Sequence, residues 1–255
     1  MGKARSHPDH PADVAATPGL RPRHATAETG QALPVTAPRP RRHLLVFARD
    51  AAQGPVKTRL APAVGMAGAT AVYQRMLCDT LATASTVTAQ TLTLWIDHPV
   101  PSAPLRALAG RFAMPIGIQS GPDLGARMYR ALASALGSTP GGGDCAVLIG
   151  SDCPEYDAPY LESAFAALDT HDAVLGPAAD GGYVLIGLRR AVPVIFDGVA
   201  WGTDQVLQAT RQRLRTLGWS WYELQTRRDV DEPRDLQHFP HLAAVADVNR
   251  RCLSD

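Results

Sequence analysis

Short apolar segments of strand type alternate with helical patterns from residue 43 onward in this 255-residue chain. The run at 43–48 is followed by apolar residues at helical spacing between Ala69 and Leu81, and then by a second strand-type run at 91–96. Strands that alternate with helices form βαβ units, which place parallel strands in one sheet. Hairpin-like β elements after residue 180 indicate one antiparallel strand. The sequence therefore predicts an α/β fold with a mainly parallel, mixed sheet.

The remaining elements follow from the same patterns. Further strands are expected at 115–119, 145–150, 172–176, 183–188 and 219–224, and further helices at 102–110, from 123, at 159–168 and at 204–217. Asp123 fits the N-cap of the helix that follows it, because its carboxylate can accept a free backbone N–H.

Residues 1–42 differ in composition from the rest of the chain. They are rich in Pro, Arg, His, Ala and Thr and show no apolar periodicity. Such a segment cannot bury enough apolar surface to offset its ordering entropy. We expect a disordered N-terminal extension at 1–42 and one globular domain at 43–255. A start codon assigned too far upstream would produce the same composition.

Composition also excludes several classes of protein. The net charge of +1 argues against nucleic-acid binding, which usually needs a basic surplus. No run of about 18 apolar residues predicts a membrane span, and no secretory signal is recognisable. The four cysteines lack the C-x-x-C spacing of zinc sites, so a reducing cytoplasm is expected. The oligomeric state stays open.

A loop with two cationic residues follows the first predicted strand. In open α/β sheets, ligands bind beyond the carboxyl ends of the strands. Lys57 and Arg59 could both contact phosphate oxygens there, with the Thr58 hydroxyl between them and Gly54 in the same loop. The loop is not a Walker A motif. We interpret it as a phosphate-binding loop; a solvated surface loop is the alternative.

An aspartate follows a buried strand in the segment Gly150-Ser151-Asp152-Cys153-Pro154. A carboxylate at the end of a strand is a suitable oxygen ligand for Mg²⁺ or Mn²⁺. The alternative is that Asp152 caps the next turn, although Asp157 lies closer to the predicted helix at 159–168. Cys153 is interpreted as a small space-filling residue.

Two later segments carry further candidates. Asp180, Gly181 and Gly182 follow another core strand, and the glycines allow close approach to a ligand or a plain hairpin turn. Asp229 and Asp231 share one side of an extended segment. We select Asp231 as the second metal carboxylate, with a capping role before Pro233 as its competitor.

Together these motifs resemble a family. The ordered set comprises 47–60, Asp123-Leu124-Gly125-Ala126-Arg127-Met128, Gly150–Pro154, Gly176–Tyr183, Trp201-Gly202-Thr203-Asp204 and Asp229-Val230-Asp231. It resembles a bacterial family of GT-A-fold transferases in the nucleotide-diphospho-sugar transferase superfamily, of the type associated with radical-SAM enzymes and arsenosugar biosynthesis. The resemblance spans 43–240. It implies a GT-A-like, Rossmann-like three-layer fold.

The resemblance also implies roles for particular residues. The family is similar to small nucleotidyltransferases, in which an early Lys/Arg loop holds the triphosphate and two separate aspartates hold the metal. By that similarity, Lys57 and Arg59 would bind phosphate, while Asp152 and Asp231 would bind Mg²⁺ or Mn²⁺. Arg127, in the segment that begins at Asp123, is a further candidate for a phosphate contact. Glycosyltransferases of this fold usually carry Asp-x-Asp where this chain has Ser151-Asp152-Cys153.

These observations predict a metal-dependent transferase that moves a sugar from a nucleotide-sugar to a small-molecule acceptor. The predicted catalytic residues are Asp152, Lys57 and Asp180, the last of which would orient the acceptor or act as a base. Gly181 and Gly182 are assigned to nucleotide binding. One alternative is nucleotidyl transfer from a nucleoside triphosphate with release of pyrophosphate. Another, of a different class, is a non-catalytic nucleotide-binding module.

Overall fold

A seven-stranded sheet forms the centre of the protein in its computed structural model, which describes residues 40–137 and 143–252. The strands are Arg42–Ala48 (β1), Thr91–Ile96 (β2), Ile116–Ile118 (β3), Cys145–Ile149 (β4), Ala173–Pro177 (β5), Tyr183–Leu188 (β6) and Trp221–Glu223 (β7). Their order across the sheet is β3-β2-β1-β4-β6-β5-β7. β6 runs antiparallel to both of its neighbours, and the other pairs are parallel. The predicted mixed sheet is thereby confirmed.

Six α-helices connect these strands or follow them in the described part of the chain. They are Ala61–Ala84 (α1), Ala103–Arg111 (α2), Leu124–Leu136 (α3), Ala158–Leu168 (α4), Val206–Thr216 (α5) and Pro240–Cys252 (α6), and 3₁₀ turns occupy Pro193–Ile195 and Pro233–His238. Asp123 accepts the N–H of Ala126 at 2.8 Å and Asp157 accepts that of Tyr160 at 2.7 Å, so both predicted N-caps are present. None of these described helices has the length and apolar character needed to cross a bilayer.

Alternating side chains of the sheet produce two apolar layers. In β1, Leu44 and Val46 pack with α1, α2, α4 and α6 on one face, whereas Leu45 and Phe47 pack with α3 and α5 on the other. Successive residues of a strand point to opposite faces, and both faces of this sheet are covered, so the central strands read as continuous apolar runs. The result is the predicted three-layer arrangement.

The direction of winding reverses beside β1. The chain passes from β1 to β2 and β3 on one side, and then returns to place β4 on the other side of β1. A crevice opens at such a switch point, outside the carboxyl ends of the two central strands. The loops that leave β1 and β4 therefore lie side by side.

The boundaries differ from expectation at the ends of the sheet and at the start of the chain. β3 and β7 are each shorter than predicted, because an edge strand has a partner on one side only. β1 begins at Arg42, and Arg41 also belongs to the folded part, since its guanidinium lies 2.7 Å from Asp144. Residues 1–39 of the predicted N-terminal extension lie outside the described residues, and their disorder stays a prediction.

Candidate functional site

A cleft of about 670 Å³ lies at the switch point, above the ends of β1 and β4. The loop after β1, the loop after β4, the turn between β5 and β6 and the segment at 229–231 all reach it. Its charged lining includes Lys57, Arg59, Asp152, Asp180, Asp229 and Asp231. The structure therefore brings together the motifs that the sequence placed at one edge of the sheet.

Lys57 lies between two carboxylates. Its Nζ is 3.1 Å from Oδ2 of Asp152 and 3.6 Å from Oδ1 of Asp231, while its side chain is 7% exposed. Burial lowers the pKa of this ammonium, but the charges of Asp152 and Asp231 outweigh burial and raise the pKa above its usual value. Lys57 therefore stays protonated and supplies a permanent positive charge to the cleft.

The backbone of Lys57 adopts a conformation that is rare for a residue with a side chain. Its φ is +48°, in the left-handed region. Val56 and Leu60 are 1% and 0% exposed, and they anchor the loop on both sides of it. Residues held in this region at a cost of about 1–3 kcal/mol are concentrated at functional sites. The loop thus holds the ammonium in place rather than leaving it mobile in solvent.

Arg59 lies at the rim of the cleft and contacts the same acidic group. Its Nη1 donates to Oδ2 of Asp231 at 2.8 Å, and its side chain is 65% exposed. Thr58, between the two cations, also lines the cleft. Lys57, Thr58 and Arg59 therefore all reach the site, as the sequence predicts.

The residues just before Asp152 are closely packed. A side chain at Gly150 would collide with it, because a Cβ there would lie 2.7 Å from Oδ1 of Asp152. The buried hydroxyl of Tyr73 accepts the N–H of Arg49 at 2.7 Å and lies 3.2 Å from the hydroxyl of Ser151. Burial raises the pKa of Tyr73 to about 12, so this hydroxyl stays protonated. Tyr73 thereby connects the ends of β1 and β4.

The late acidic segment is fixed to the loop that carries Asp152. Val230, which is fully buried, donates its N–H to the carbonyl oxygen of Asp152 at 3.0 Å. Asp235 accepts the N–H of Asp231 at 2.9 Å, and Glu232 is the N-cap of the turn Pro233–His238. The competing capping role for Asp231 is therefore filled by other residues, and its carboxylate faces Lys57.

Asp229 also lines the cleft, although the sequence analysis selected only its neighbour Asp231 as a ligand. Burial, together with the charges of Asp152 and Asp180, raises the pKa of Asp229 to about 6. The spacing of the two aspartates, which places both on one side of an extended segment, could have predicted that both reach the cleft. Val230 between them is fully buried, which the sequence pattern did not reveal.

The turn after β5 divides its predicted residues between two roles. Asp180 accepts the N–H of Gly182 at 2.8 Å, and both residues line the cleft. Gly181 has a φ of +93°, and a Cβ there would lie 2.7 Å from Cα of Asp204. Because Gly181 has no side chain, the turn can pack on the backbone of Asp204, just before α5. The close approach predicted at this glycine is therefore to the protein backbone and not to a ligand.

Three predicted phosphate ligands lie elsewhere. Gly54, Arg127 and Gly181 are not among the described residues that line the cleft. Gly54 borders a small neighbouring cavity with Asp50 and His98, and Arg127 donates from Nε to the carbonyl oxygen of Gly121 at 3.3 Å. Their predicted contact with phosphate therefore stays a prediction that the lining of the cleft does not support.

The acidic groups are of the kind that bind a divalent cation. Carboxylate oxygens are the ligands that Mg²⁺ prefers, usually one or two per ion with substrate phosphates. The four aspartates that line the cleft outnumber its three cationic residues, Arg49, Lys57 and Arg59, and this excess of negative charge suits a cation. In the described part of the chain, no three His, Cys, Asp or Glu side chains are grouped as a ready metal site. Because both oxygens of Asp231 and one of Asp152 are paired with Lys57 and Arg59, the donor set fits a divalent cation only after these two cations release them.

Comparisons with known proteins agree with this architecture. A profile of DUF2064, a family of uncharacterised proteins conserved in bacteria, matches residues 80–203. A search of curated proteins gave no significant match. Among solved structures, the chain is similar to a protein from Desulfovibrio desulfuricans G20 described as a nucleotide-diphospho-sugar transferase, with 28% identity, a TM-score of 0.71, and coverage of 82% of this chain and 95% of that one.

Two more distant structures share the fold. A CMP:2-keto-3-deoxy-manno-octonic acid synthetase complexed with CTP is 12% identical, with a TM-score of 0.52 over 80% of this chain and 98% of that one. The 4-diphosphocytidyl-2C-methyl-D-erythritol synthase from Anaerococcus prevotii DSM 20548 is 9% identical, with a TM-score of 0.53 over 80% and 99%. The predicted GT-A-like fold is thereby confirmed. The similarity to the Desulfovibrio desulfuricans protein supports the nucleotide-diphospho-sugar transferase superfamily and a nucleotide-utilising transferase in general.

Proposed function

We propose that this protein is a divalent-metal-dependent glycosyltransferase that moves a sugar from a nucleotide-sugar to a small-molecule acceptor. The observation that carries the proposal is the contact of one buried ammonium, that of Lys57, with both Asp152 and Asp231 at the switch-point cleft. The similarity to the protein described as a nucleotide-diphospho-sugar transferase supports it. The narrower resemblance, to the radical-SAM and arsenosugar-associated type, belongs to the same proposal.

The cationic loop would bind the diphosphate of the donor. Arg59 offers a planar fork of N–H donors, and Lys57 offers a compact charge in a partly dry environment. The hydroxyl of Thr58 and the backbone at Gly182 complete the set that lines the cleft. Because Val56 and Leu60 anchor the loop that carries Lys57 before a ligand arrives, little ordering of this loop is needed when the diphosphate binds.

Asp152 and Asp231 would hold Mg²⁺ or Mn²⁺. When bound, such a cation neutralises charge on the departing nucleoside diphosphate. The protein keeps the two carboxylates near each other through the hydrogen bond from the backbone N–H of Val230 to the carbonyl oxygen of Asp152. Asp229 adds a further negative charge beside them.

The other wall of the cleft would receive the acceptor. Asp180 lies there with one oxygen engaged by Gly182, so its other oxygen can accept a proton from, or orient, an acceptor hydroxyl. Trp201 and Tyr183 line the same wall, with their ring centroids 6.4 Å apart. Aromatic faces of this kind suit the apolar face of a sugar or another small ring.

Nucleotidyl transfer is the second candidate. It is favoured by the structural likeness to a synthetase complexed with CTP, since the same cations and carboxylates could hold a triphosphate and its metal. The reaction would then release pyrophosphate instead of a nucleoside diphosphate. Sugar transfer breaks the carbon–oxygen bond between the sugar and the diphosphate, whereas nucleotidyl transfer breaks a phosphorus–oxygen bond of the triphosphate. The two reactions therefore release different products.

The released product separates the candidates. The full chain would be incubated with Mn²⁺, a panel of nucleotide-sugars and nucleoside triphosphates, and a panel of small hydroxylated acceptors. Nucleoside diphosphate that depends on an acceptor supports sugar transfer, and pyrophosphate supports nucleotidyl transfer. Nucleotide binding without either product would support a binding module. Asp152→Asn should abolish the product, whereas Asp79→Asn, which changes an exposed carboxylate on α1, should not.

A further inference from the structure

The groups assigned to the metal and those assigned to the phosphates are paired with each other. Nζ of Lys57 contacts Oδ2 of Asp152 at 3.1 Å and Oδ1 of Asp231 at 3.6 Å. The remaining oxygen of Asp231, Oδ2, lies 2.8 Å from Arg59. Both oxygens of Asp231 and one of Asp152 are therefore engaged by cations of the protein itself.

A divalent cation that bound both Asp152 and Asp231 without a nucleotide would have to take the oxygens of Asp231 from Lys57 and Arg59. The side chain of Lys57 is 7% exposed, and a buried charge that loses its partner is strongly destabilising. Its loop offers no easy escape, because Val56 and Leu60 are buried on both sides. Binding of the free metal is therefore opposed by the ammonium that it displaces.

A nucleotide reverses this balance. Its phosphate oxygens can accept the N–H groups of Lys57 and Arg59, so neither cation is left without an anion. Asp152 and Asp231 then become available to the metal, and the metal shares the same phosphates. The side chain of Lys57 needs only to turn from carboxylate to phosphate within the cleft.

We infer that Lys57 takes the place of the divalent cation until a nucleotide binds, so that the cleft receives the nucleotide and its metal as one preformed complex. This inference rests on the proposed function and adds to it the form in which the substrate enters. It has an unusual consequence for a residue of the binding machinery. Loss of the Lys57 ammonium should strengthen binding of the free metal, by about tenfold or more.

Binding of Mn²⁺ alone tests this directly. Free Mn²⁺ would be counted by electron paramagnetic resonance during titration of the full chain, for the wild type, Lys57→Met and Lys57→Gly. Glycine suits the φ of +48° at this position, so the second variant keeps the loop folded if the first does not. Arg75→Met is the matched control, because it removes a positive charge from an exposed pair with Asp79.

The expected result is weak Mn²⁺ binding by the wild type and the control, and binding at least about tenfold tighter by the Lys57 variants. Equilibrium dialysis against the Mn²⁺ complex of inorganic pyrophosphate should show that the wild type retains the complex. If the wild type retains the Mn²⁺–pyrophosphate complex but the Lys57 variants bind Mn²⁺ no tighter than the wild type, the inference is overturned and the proposed function is not. A wild type that retains neither Mn²⁺ nor the complex would overturn the inference and the proposed function together.

Discussion

The backbone N–H of Val230 donates a 3.0 Å hydrogen bond to the carbonyl oxygen of Asp152. This bond joins the loop after β4 to a segment that lies beyond β7. It places Asp231 on the same side of the cleft as Asp152, and both carboxylates contact Lys57. The acidic part of the site is therefore assembled by main-chain contacts, and side-chain changes can be tested without dismantling it.

Replacement of Asp152 by Asn should abolish metal-dependent nucleotide binding and leave the fold nearly unchanged. Asp152 is 40% exposed, Asp231 remains as a partner for Lys57, and the repulsion among the carboxylates is relieved. We expect the free energy of unfolding to change by about 1 kcal/mol or less. Nucleotide titration with Mn²⁺ and thermal melting measure the two effects. A melting temperature lowered by more than about 8 °C would show that Asp152 is structural.

Gly181→Ala should destabilise the protein by about 2 kcal/mol or more. Its φ is +93°, and the new Cβ would lie 2.7 Å from Cα and 2.8 Å from the carbonyl carbon of Asp204, both of which are backbone atoms. Gly54→Ala is the matched control, since a Cβ there meets no atom within 4 Å. Urea denaturation of both variants measures the difference. Equal stability of the two would contradict the structural role of Gly181.

Tyr73→Phe should lower the free energy of unfolding by about 1–2 kcal/mol. The change removes the acceptor of the Arg49 N–H and the hydrogen bond to Ser151, at a position that is 3% exposed. Because Ser151 precedes Asp152, nucleotide affinity should fall as well. Tyr222→Phe, at a residue that is 48% exposed, should leave both quantities unchanged. If Tyr73→Phe is as stable as the wild type, the Tyr73 hydroxyl does not connect the ends of β1 and β4. If Tyr222→Phe loses as much stability as Tyr73→Phe, the effect does not come from burial of the hydroxyl.

Stability should depend on pH through Glu223. Hydrogen bonds from Arg211 lower the pKa of this carboxyl below its usual 4.5, against the opposing effect of burial and with help from Trp221. A lowered folded-state pKa stabilises the protein above about pH 4.5, and that stabilisation is lost as the pH falls through the folded value.

The matching experiment compares the wild type with Glu223→Gln in urea at pH 7 and pH 3. The variant should be less stable by about 1 kcal/mol at pH 7, and the difference should shrink at pH 3. Asp79→Asn, in an exposed pair, serves as the control. If the stability difference between the wild type and Glu223→Gln grew as the pH fell, the pKa of Glu223 would be raised by folding and not lowered.

Much of the fold could be predicted because apolar spacing records burial. The central strands are buried on both faces and appear in the sequence as continuous apolar runs. The edge strands were predicted too long, since their length depends on how far one neighbour extends. Cys153 was interpreted as a space-filling residue; it is 1% exposed, and burial raises the pKa of its thiol to about 12.

The candidate site could be predicted in part. Lys57, Arg59 and Asp152 follow strand ends, and strand ends share one edge of the sheet, so their convergence follows from topology. The mutual pairing of cations and carboxylates did not follow, because neither the burial of the Lys57 side chain nor the left-handed backbone at this residue is visible in the sequence. Arg127 and Gly54 were assigned to phosphate by motif. The hydrogen bond of Arg127 to Gly121 and the position of Gly54 at the smaller cavity could not be predicted from the sequence.

The two outermost strands, β3 and β7, have three residues each. An outer strand exposes backbone donors and acceptors on its free side, and a long one serves as a template for another chain. Three residues present too few of these groups to hold a visiting strand in register. The two limits of the sheet therefore offer another chain little backbone to pair with, which disfavours end-to-end growth of the sheet.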